Sequence, residues 1–274
     1  MMKGLKGLID DIKAETKAEL SPSNWLKKIV DDYLLEDTFK DYLFAHREDC
    51  AKYLDEPGKA PGRFRASSAG SCLQQQAFKA VEKEGATLKL TIITRPARNA
   101  RALLNGTFGH IRWHMVFDAL DALGRVKTLA AEVRQYDSVL QMTGAFDRFV
   151  QFEYAGTMLN VMVDFKTVKA YGFANLAGAE KSHKAQQHGY KLLNPQYDID
   201  RWMMLYEDKD TQELKLFDYE YDELLLDLLR QRYKLANQWV HEYLWSEFVS
   251  FKLPLDKQWC AWCPYQVPCK QING

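Results

Sequence analysis

The sequence predicts a mixed α/β domain built around a central sheet, and three observations predict it. Apolar residues recur at helical spacing in the segments before residue 123 and after residue 182. Between residues 132 and 167 the pattern changes to the alternation of antiparallel strands. A further short apolar segment, 203–206, lies between two helical patterns. The order of helices, antiparallel strands, helix, strand and helix is typical of mixed α/β folds.

Length and composition set the broad class of protein. With 274 residues, of which 47% are hydrophobic, the chain can bury one large core, with or without an appendage. Thirty-seven basic and 37 acidic residues balance, which argues against a generally basic protein that coats DNA. One segment, 85–117, carries five basic residues and no acid, so it forms either a solvated helix face or a phosphate-contacting surface. Those five residues are Lys89, Arg95, Arg98, Arg101 and Arg112.

The apolar runs and the cysteines indicate the cellular compartment of the protein. No apolar run approaches the roughly 20 residues that a bilayer span needs, and the N-terminus does not resemble a secretory signal. Five unevenly clustered cysteines are unlike a disulfide framework. We therefore expect a cytoplasmic protein with no membrane partner.

The N-terminal elements are predicted from capping and linker signals. Residues 1–55 are expected to be largely helical, with a helix start at Ser21-Pro22-Ser23-Asn24. The Pro- and Gly-rich segment 55–62 indicates a linker. We therefore divide the chain into a helical extension with its linker, 1–62, and a main domain, 63–274. Within the main domain, 67–74 is predicted to form a tight turn that opens a helix running toward Glu84.

Later elements carry the candidate chemistry. A helix is predicted over 105–123, strands follow to Thr167, and a helix from Ser182 is followed by the strand 203–206. A long final helix, about 222–248, leads to a tail rich in cysteine.

Two carboxylates and a lysine are predicted to share one face of the strands. Asp164 and Lys166 are two residues apart on an apolar strand, so both side chains point to the same side. A hairpin centred on Ala155-Gly156 would place Asp147 directly across from Asp164, with Cβ atoms about 4.5–5.5 Å apart.

Such a pair of carboxylates favours a bound cation. Opposed carboxylates destabilise a sheet unless a positive charge lies between them, and hard oxygen ligands suit Mg²⁺ or Mn²⁺. Lys166 could orient an attacking water, as in metal-assisted phosphodiester hydrolysis. The alternative is a surface strand with a solvated Asp–Lys pair.

Two further patterns flank this pair. His110 follows Gly106 near a helix start and could add an imidazole ligand, although such a histidine is often a capping or core residue. His114, one turn later, is a rival that the sequence leaves open. Gln186 and Tyr190 lie four apart on one helix face, which is also compatible with ordinary packing around a half-exposed tyrosine.

Four cysteines at the two ends of the main domain indicate an inorganic centre. Cys260, Cys263 and Cys269 follow C-x2-C-x5-C spacing, and thiolates this close repel unless a cation binds them. Cys72, far upstream, would complete a clasp joining the start of the domain to its end. From spacing alone, tetrahedral zinc and an iron–sulfur cluster fit equally well. Cys50 is left over, and we expect it to be a buried structural thiol.

Taken in order, these motifs resemble the RecB-like branch of the PD-(D/E)XK nuclease superfamily. The resemblance covers about residues 63–272, and the flanking cysteines look like those of its iron–sulfur members: CRISPR-associated RecB-like exonucleases, AddB-type nuclease domains and phage exonucleases. The matching motifs are G-x-x-x-H (Gly106 to His110), G-x-x-D (Gly144 to Asp147), D-x-K (Asp164 to Lys166) and Q-x-x-x-Y (Gln186 to Tyr190).

The resemblance implies a fold and a role for each matching residue. The fold would be a restriction-endonuclease-like core with a central mixed sheet flanked by helices, an N-terminal helical extension and a C-terminal iron–sulfur clasp. Lys166 would position the nucleophilic water, while Gln186 and Tyr190 would hold DNA or the active-site loop. The catalytic Mg²⁺ or Mn²⁺ would be bound by His110, Asp147 and Asp164, and a 4Fe–4S cluster by Cys72, Cys260, Cys263 and Cys269.

The activity implied is that of a metal-dependent DNA exonuclease. Its substrate would be single-stranded DNA degraded from the 5′ end, in recombination, repair or adaptation, with recombination or CRISPR-type protein partners. The alternative is a non-cleaving DNA-binding or assembly subunit of a larger nuclease, helicase or CRISPR-type complex. A zinc-stabilised regulatory protein would require the D-x-K and Q-x-x-x-Y matches to be accidental.

Overall fold

The computed structural model describes residues 21–35, 61–91, 97–246 and 248–273, without the side chains of 97–104, 259 and 262. Several sequence predictions therefore lie outside the described residues: the helical character of 1–20 and 36–55, most of the linker, the burial of Cys50, and the placement of the Arg95, Arg98 and Arg101 side chains.

Seven α-helices are described; five match predicted helical segments with shifted ends, and two short ones, at 170–174 and 266–273, were not predicted. The helix predicted from about residue 105 begins earlier, because the alanine- and leucine-rich segment before it has high helix propensity. The helices are α1 (Pro22–Leu35), α2 (Leu73–Lys83), α3 (Ala97–Ala122), α4 (Ala170–Ala174), α5 (Lys181–Leu193), α6 (Glu223–Ser246) and α7 (Gln266–Asn273), with 3₁₀ turns at Ala66–Ser68 and Lys257–Trp262.

The strands form a small and a large sheet. The strands are β1 (Phe64–Arg65), β2 (Lys127–Ala131), β3 (Arg134–Asp137), β4 (Met142–Ala145), β5 (Arg148–Tyr154), β6 (Thr157–Val168), β7 (Arg201–Asp208) and β8 (Leu214–Tyr219). The large sheet has the order β2-β5-β6-β7-β8, and the small one β1-β4-β3. Only the β6–β7 pair of the large sheet is parallel, so the predicted central mixed sheet flanked by helices is confirmed.

The sequence did not predict β1 and β2, which lie before residue 132, or β8. Strand β8 lies at the sheet edge and carries Lys215 and Asp218 among its apolar residues, so its alternation is weak. Its pairing with β7 comes from the tight connection at 209–213, which turns the chain back on itself.

The β5–β6 hairpin has the predicted register. Tyr154 pairs with Thr157, and the ladder continues without a bulge to Arg148 and Val163. The two loop residues, Ala155 and Gly156, have φ angles of 48° and 80°. Positive φ at both central positions is the type I′ geometry, whose twist matches the twist of the strands that it joins.

The large sheet buries side chains on both faces. Val161, Val163 and Phe165 of β6 pack in one core with α1 and α3. Met162, on the opposite face, belongs to the core formed with α2, α5 and α6. The alternation along β6 therefore sends Asp164 toward α5 and Phe165 toward α3.

Within the described ranges, no helix is long and apolar enough to cross a membrane.

Candidate active site and cysteine cluster

Asp147 and Asp164 lie level with each other at the end of the β5–β6 hairpin. Asp147 comes one residue before Arg148, where the β5–β6 ladder ends, and its Oδ2 accepts a 2.6 Å hydrogen bond from the backbone N–H of Phe165. Both carboxylates are buried. The predicted convergence of the two acids therefore occurs in the folded chain, and it takes place away from bulk water.

Lys166 and α5 contact the Asp164 carboxylate. The Lys166 ammonium forms an ion pair with Oδ2, and Gln186 Nε2 lies 3.3 Å from Oδ1. Gln186 also donates a 2.5 Å hydrogen bond to the Tyr190 hydroxyl. Tyr190 is buried, unlike the half-exposed tyrosine of simple helix packing. One polar cluster therefore contains Asp164, Lys166, Gln186 and Tyr190.

His110 approaches the cluster from α3, which packs on the face of the large sheet opposite to α5. Its Nδ1 lies 3.6 Å from Asp147 Oδ1, and 34% of its side-chain surface is exposed. Helix α3 can bring the ring this close because Gly109 packs against β6. A Cβ at Gly109 would lie 2.7 Å from the Thr167 Cγ2 methyl, which is closer than van der Waals contact allows. Sequence analysis selected Gly106, but the close approach is made by Gly109.

His114 is near the same point but is committed to other groups. The ligand atoms of His110, His114 and Asp147 all lie within 4.8 Å of one another, as a metal site would require. However, His114 Nδ1 accepts from Arg148 Nε at 3.1 Å, and Nε2 lies 2.8 Å from a Glu132 carboxylate oxygen. A ring whose two nitrogens are both hydrogen-bonded offers no lone pair to a metal. Between the two histidines, the exposed His110 is the better ligand.

Burial and charge separate the pKa values of the two aspartates. Burial opposes ionisation of Asp147, but His110, Lys166 and the Phe165 N–H together hold its pKa below the usual range. Burial raises the pKa of Asp164 to about 6, with a further contribution from Asp147, although Lys166 opposes it. Asp147 also raises the pKa of His110.

The donor set of this site fits a hard divalent ion. Two carboxylates and an imidazole are typical ligands of Mn²⁺, and Mg²⁺ accepts the carboxylates. Burial, together with the neighbouring Asp147 carboxylate, makes ionisation of Asp164 unfavourable. A divalent ion between them would remove that penalty.

Arg148 was missed by the sequence analysis. Its guanidinium is buried and donates to Asp118 Oδ1 at 2.6 Å and to the backbone carbonyl of His114. These contacts tie β5 to α3, next to the candidate site. The four-residue spacing of His110, His114 and Asp118 on one helix face was the available signal, and it pointed to a cation facing that side.

Arg112 is a structural anchor rather than a phosphate contact. Its guanidinium forms an ion pair with buried Glu207 of β7 and donates to Gln212. The Trp113 Nε1–H donates to the same Glu207 carboxylate. Lys89, in the same basic segment, is exposed. The side chains of Arg95, Arg98 and Arg101 lie outside the described residues.

The four predicted cysteines line one cavity. Cys72 precedes α2, Cys260 and Cys263 lie at the 3₁₀ turn, and Cys269 is on α7. All four are free thiols. Burial raises the pKa of Cys263 and Cys269, and the neighbouring thiols raise it further. Four sulfur donors from the two ends of the domain therefore share one cavity, and this set suits tetrahedral zinc or an iron–sulfur cluster.

Comparisons with known proteins give the following. No protein-family model matches the sequence, and no curated protein matches it significantly. The crystal structure of SSO0001 aligns with 88% of this chain and 98% of its own, at 14% identity and a TM-score of 0.42. The alkaline exonuclease LHK-Exo from Laribacter hongkongensis aligns with 67% of this chain and 90% of its own, at 10% identity and a TM-score of 0.44. A phage-related exonuclease from Haemophilus somnus 129PT aligns with 69% of this chain and 98% of its own, at 13% identity and a TM-score of 0.42.

Proposed function

We propose that this chain is a metal-dependent deoxyribonuclease with a restriction-endonuclease-like core. One observation carries the proposal: Asp147, Asp164 and Lys166 meet in a buried polar cluster at the end of the β5–β6 hairpin. Burying two carboxylates side by side is unfavourable, so a fold that does it is expected to use them.

His110, Asp147 and Asp164 would hold the Mg²⁺ or Mn²⁺. A divalent ion bound by these groups polarises a phosphodiester and makes a bound water more acidic. The Phe165 N–H orients Asp147 by its hydrogen bond to Oδ2, leaving Oδ1 facing His110. Gln186 orients Asp164 in the same way through Oδ1.

Lys166 would position the attacking water and offset phosphate charge. Asp164 and Asp147 raise the pKa of this lysine against the effect of burial, so its amine stays protonated. A protonated amine donates hydrogen bonds to water or to a phosphate oxygen, and Asp164 restricts where it can point. Tyr190 orients the Gln186 amide, because its hydroxyl accepts the second Gln186 N–H.

The finer features of the proposal come from the sequence resemblance. These are exonucleolytic action on single-stranded DNA from a 5′ end, a role in recombination, repair or adaptation, and protein partners of the recombination or CRISPR type. The same source favours a 4Fe–4S cluster over zinc in the cavity formed by the four cysteines. Protein purified without oxygen should be brown and contain iron and sulfide. A colourless preparation with one zinc per chain would show that the four cysteines bind zinc and not a cluster.

A cleavage assay tests the catalytic proposal. We expect the protein to degrade labelled single-stranded DNA in the presence of Mn²⁺ and not in EDTA. Lys166→Ala and Asp164→Asn should each lower the rate by about 100-fold or more, because each removes a group that acts on the reacting phosphate. Lys169→Ala is the matched control, because this lysine is exposed and lies three residues further along the chain.

The outcomes separate the two functions. Wild-type protein that binds the labelled DNA but leaves it intact with Mn²⁺ would contradict the nuclease and favour the non-cleaving DNA-binding subunit. Equal loss in Lys169→Ala would contradict the specific role of Lys166. Substrates blocked at the 5′ or the 3′ end then decide the polarity.

A further inference from the structure

Gln74 is a buried glutamine whose amide has no partner among the described residues. It lies in the first turn of α2, two residues after Cys72, and its side chain is 1% exposed. Neither Nε2 nor Oε1 forms a hydrogen bond with any other described residue. Leaving a buried amide unpaired costs free energy, so such a group is expected to have a partner in the working protein.

Gln76, on the same helix, shows the usual arrangement. It is also buried, and its Nε2 donates to the backbone carbonyl of Ser68 at 2.9 Å. The Tyr233 hydroxyl donates to its Oε1 at 3.1 Å. Within the described part of the chain, the fold therefore gives one of two neighbouring buried glutamines its hydrogen-bond partners and gives the other none.

The Gln74 side chain lines the cavity of the four cysteines. Phe78 and Leu255, which contribute apolar surface, line the same cavity. The Tyr265 hydroxyl, another hydrogen-bond donor of the cavity wall, is committed to Glu82. Gln75 and Asp256 also line the cavity, and the Asp256 carboxylate accepts from the Gln258 backbone N–H and Nε2. Among the acceptors that the Gln74 amide could meet in this cavity, the four sulfurs are the most numerous.

We propose that the Gln74 amide donates an N–H···S hydrogen bond to a metal-bound sulfur of the four-cysteine centre. This inference rests on the proposed metal centre. A thiolate or sulfide bound to a metal keeps negative charge and accepts hydrogen bonds, and such bonds are among the factors that set the reduction potential of iron–sulfur clusters. The same donor would stabilise zinc-bound thiolates, so its role does not depend on which metal binds.

Gln74 would then be a positioning residue for the centre. Partners that hydrogen-bond to metal ligands typically contribute about 10- to 100-fold to metal affinity. Because Gln74 is on the helix that Cys72 precedes, its donor is placed by the same element as the upstream ligand. The three downstream cysteines come from a separate part of the chain.

The test uses full-length protein purified without oxygen, with its metal content determined first. Wild type, Gln74→Met and Gln75→Met are compared by the rate at which the metal passes to a chelator. Gln75→Met is the matched control, because Gln75 is the next residue of the helix and is only half-buried. Gln74→Met should release the metal about tenfold faster than wild type, and Gln75→Met should behave like wild type.

A second readout reports on the sulfurs themselves. If the metal is iron, the midpoint potential of the cluster should be lower in Gln74→Met, because the lost hydrogen bond stabilised the more negative, reduced state. If the metal is zinc, replacement by Co²⁺ should show a shifted sulfur-to-cobalt charge-transfer band. A side chain that only filled space would move neither signal, since methionine has a similar volume.

Each remaining outcome also decides the question. Should Gln74→Met fail to fold, Gln74→Leu also lacks the N–H donors and is close to glutamine in volume, and it should release the metal about tenfold faster than wild type as well. Unchanged release and an unchanged spectroscopic signal in the folded variant would overturn the role of Gln74 alone. Wild-type protein whose four cysteines bind neither iron nor zinc would overturn the centre together with this role, whereas the proposed function is tested separately by Mn²⁺-dependent cleavage and its loss in Lys166→Ala.

Discussion

His110 and His114 lie one turn apart on α3, yet their surroundings give them different chemistry. His110 is 34% exposed and faces Asp147 across 3.6 Å. His114 is 2% exposed and forms hydrogen bonds through both ring nitrogens. The imidazole of His110 is therefore able to exchange its protein contact for a metal, whereas the imidazole of His114 helps to hold Arg148 in the interior.

Alanine at the two positions should separate these roles. His110→Ala should abolish Mn²⁺-dependent cleavage and change the free energy of unfolding by less than about 1 kcal/mol. His114→Ala removes the acceptor of a buried Arg148 Nε hydrogen bond, which should cost about 1–3 kcal/mol of stability. Urea unfolding and the DNA cleavage assay on both variants provide the measurements. A His114→Ala protein as stable as wild type would contradict the structural role.

His183 should make the protein sensitive to acid. Burial and the positive charge of Lys166 lower the pKa of His183 to about 4. The Tyr206 hydroxyl accepts from the Glu180 backbone N–H and lies 2.8 Å from His183 Nδ1, so its own proton is available to a neutral ring. The pKa of His183 in the folded protein lies below the ordinary value of about 6.5. The neutral His183 ring therefore contributes fully to the free energy of unfolding above pH 6.5, and this contribution is lost as the pH falls toward 4.

The corresponding measurement is the free energy of unfolding between pH 7 and pH 4. His183→Asn does not titrate in this range, so its stability should fall less steeply with decreasing pH than that of wild type. Parallel curves for the two proteins would show that His183 titrates with the same pKa in the folded and unfolded states, which would contradict the prediction.

At the scale of elements, α3 has to be held close to β6 for His110 to reach Asp147. Two features hold it there: the ion pair of Arg112 with Glu207, and the contact of Gly109 with Thr167. The first fixes the helix along its axis, and the second fixes its distance from the sheet. Both operate within three residues of His110.

Two glycine substitutions should test the helix-to-sheet distance. Gly109→Ala would place a Cβ 2.7 Å from the Thr167 methyl, so α3 must shift outward and take His110 with it. We expect cleavage to fall by at least about tenfold, since small misplacements of a reacting group are costly. Assays at saturating Mn²⁺ and a thermal melt give the comparison.

Gly106→Ala is the matched control on the same helix. The added Cβ would lie 3.7 Å from Thr167 Oγ1, which is an ordinary contact. Alanine has the higher helix propensity, so this variant should gain up to about 1 kcal/mol of stability and keep its activity. Loss of activity in Gly106→Ala and not in Gly109→Ala would reverse the assignment.

At the scale of the whole molecule, α1 belongs to the core that the sheet shares with α3. Leu26, Val30 and Tyr33 are fully buried among residues of β5 and β6, and Ser23 donates a 2.6 Å hydrogen bond to Asp218 of β8. Sequence analysis placed this helix in an extension, residues 1–62. Its packing predicts that it contributes to the stability of the sheet.

Two leucines of α1 offer a direct comparison. Leu26 is fully buried, and Leu26→Ala should destabilise the whole domain by about 2–5 kcal/mol through lost contacts and a residual cavity. Leu35 is 83% exposed, and Leu35→Ala should change stability by less than about 0.5 kcal/mol. Urea denaturation followed by tryptophan fluorescence measures both. A small effect of Leu26→Ala would mean that α1 folds as a separate extension.

The sequence by itself determined the central hairpin and the set of candidate residues. Strand alternation places Asp164 and Lys166 on one face whatever the fold around them, and the Ala155-Gly156 turn then sets which residue opposes Asp164. These are local properties, since the period of a strand and the geometry of a two-residue turn depend on adjacent residues only.

Only the tertiary structure decided how those residues are used. The choice between His110 and His114 depends on Arg148 and Glu132, which come from distant parts of the chain. The unpaired amide of Gln74 likewise becomes visible only once α2 and the C-terminal cysteines enclose it. Hydrogen-bond partners, burial and charge at a site are set by which segments meet there, and a local sequence pattern contains no information about that meeting.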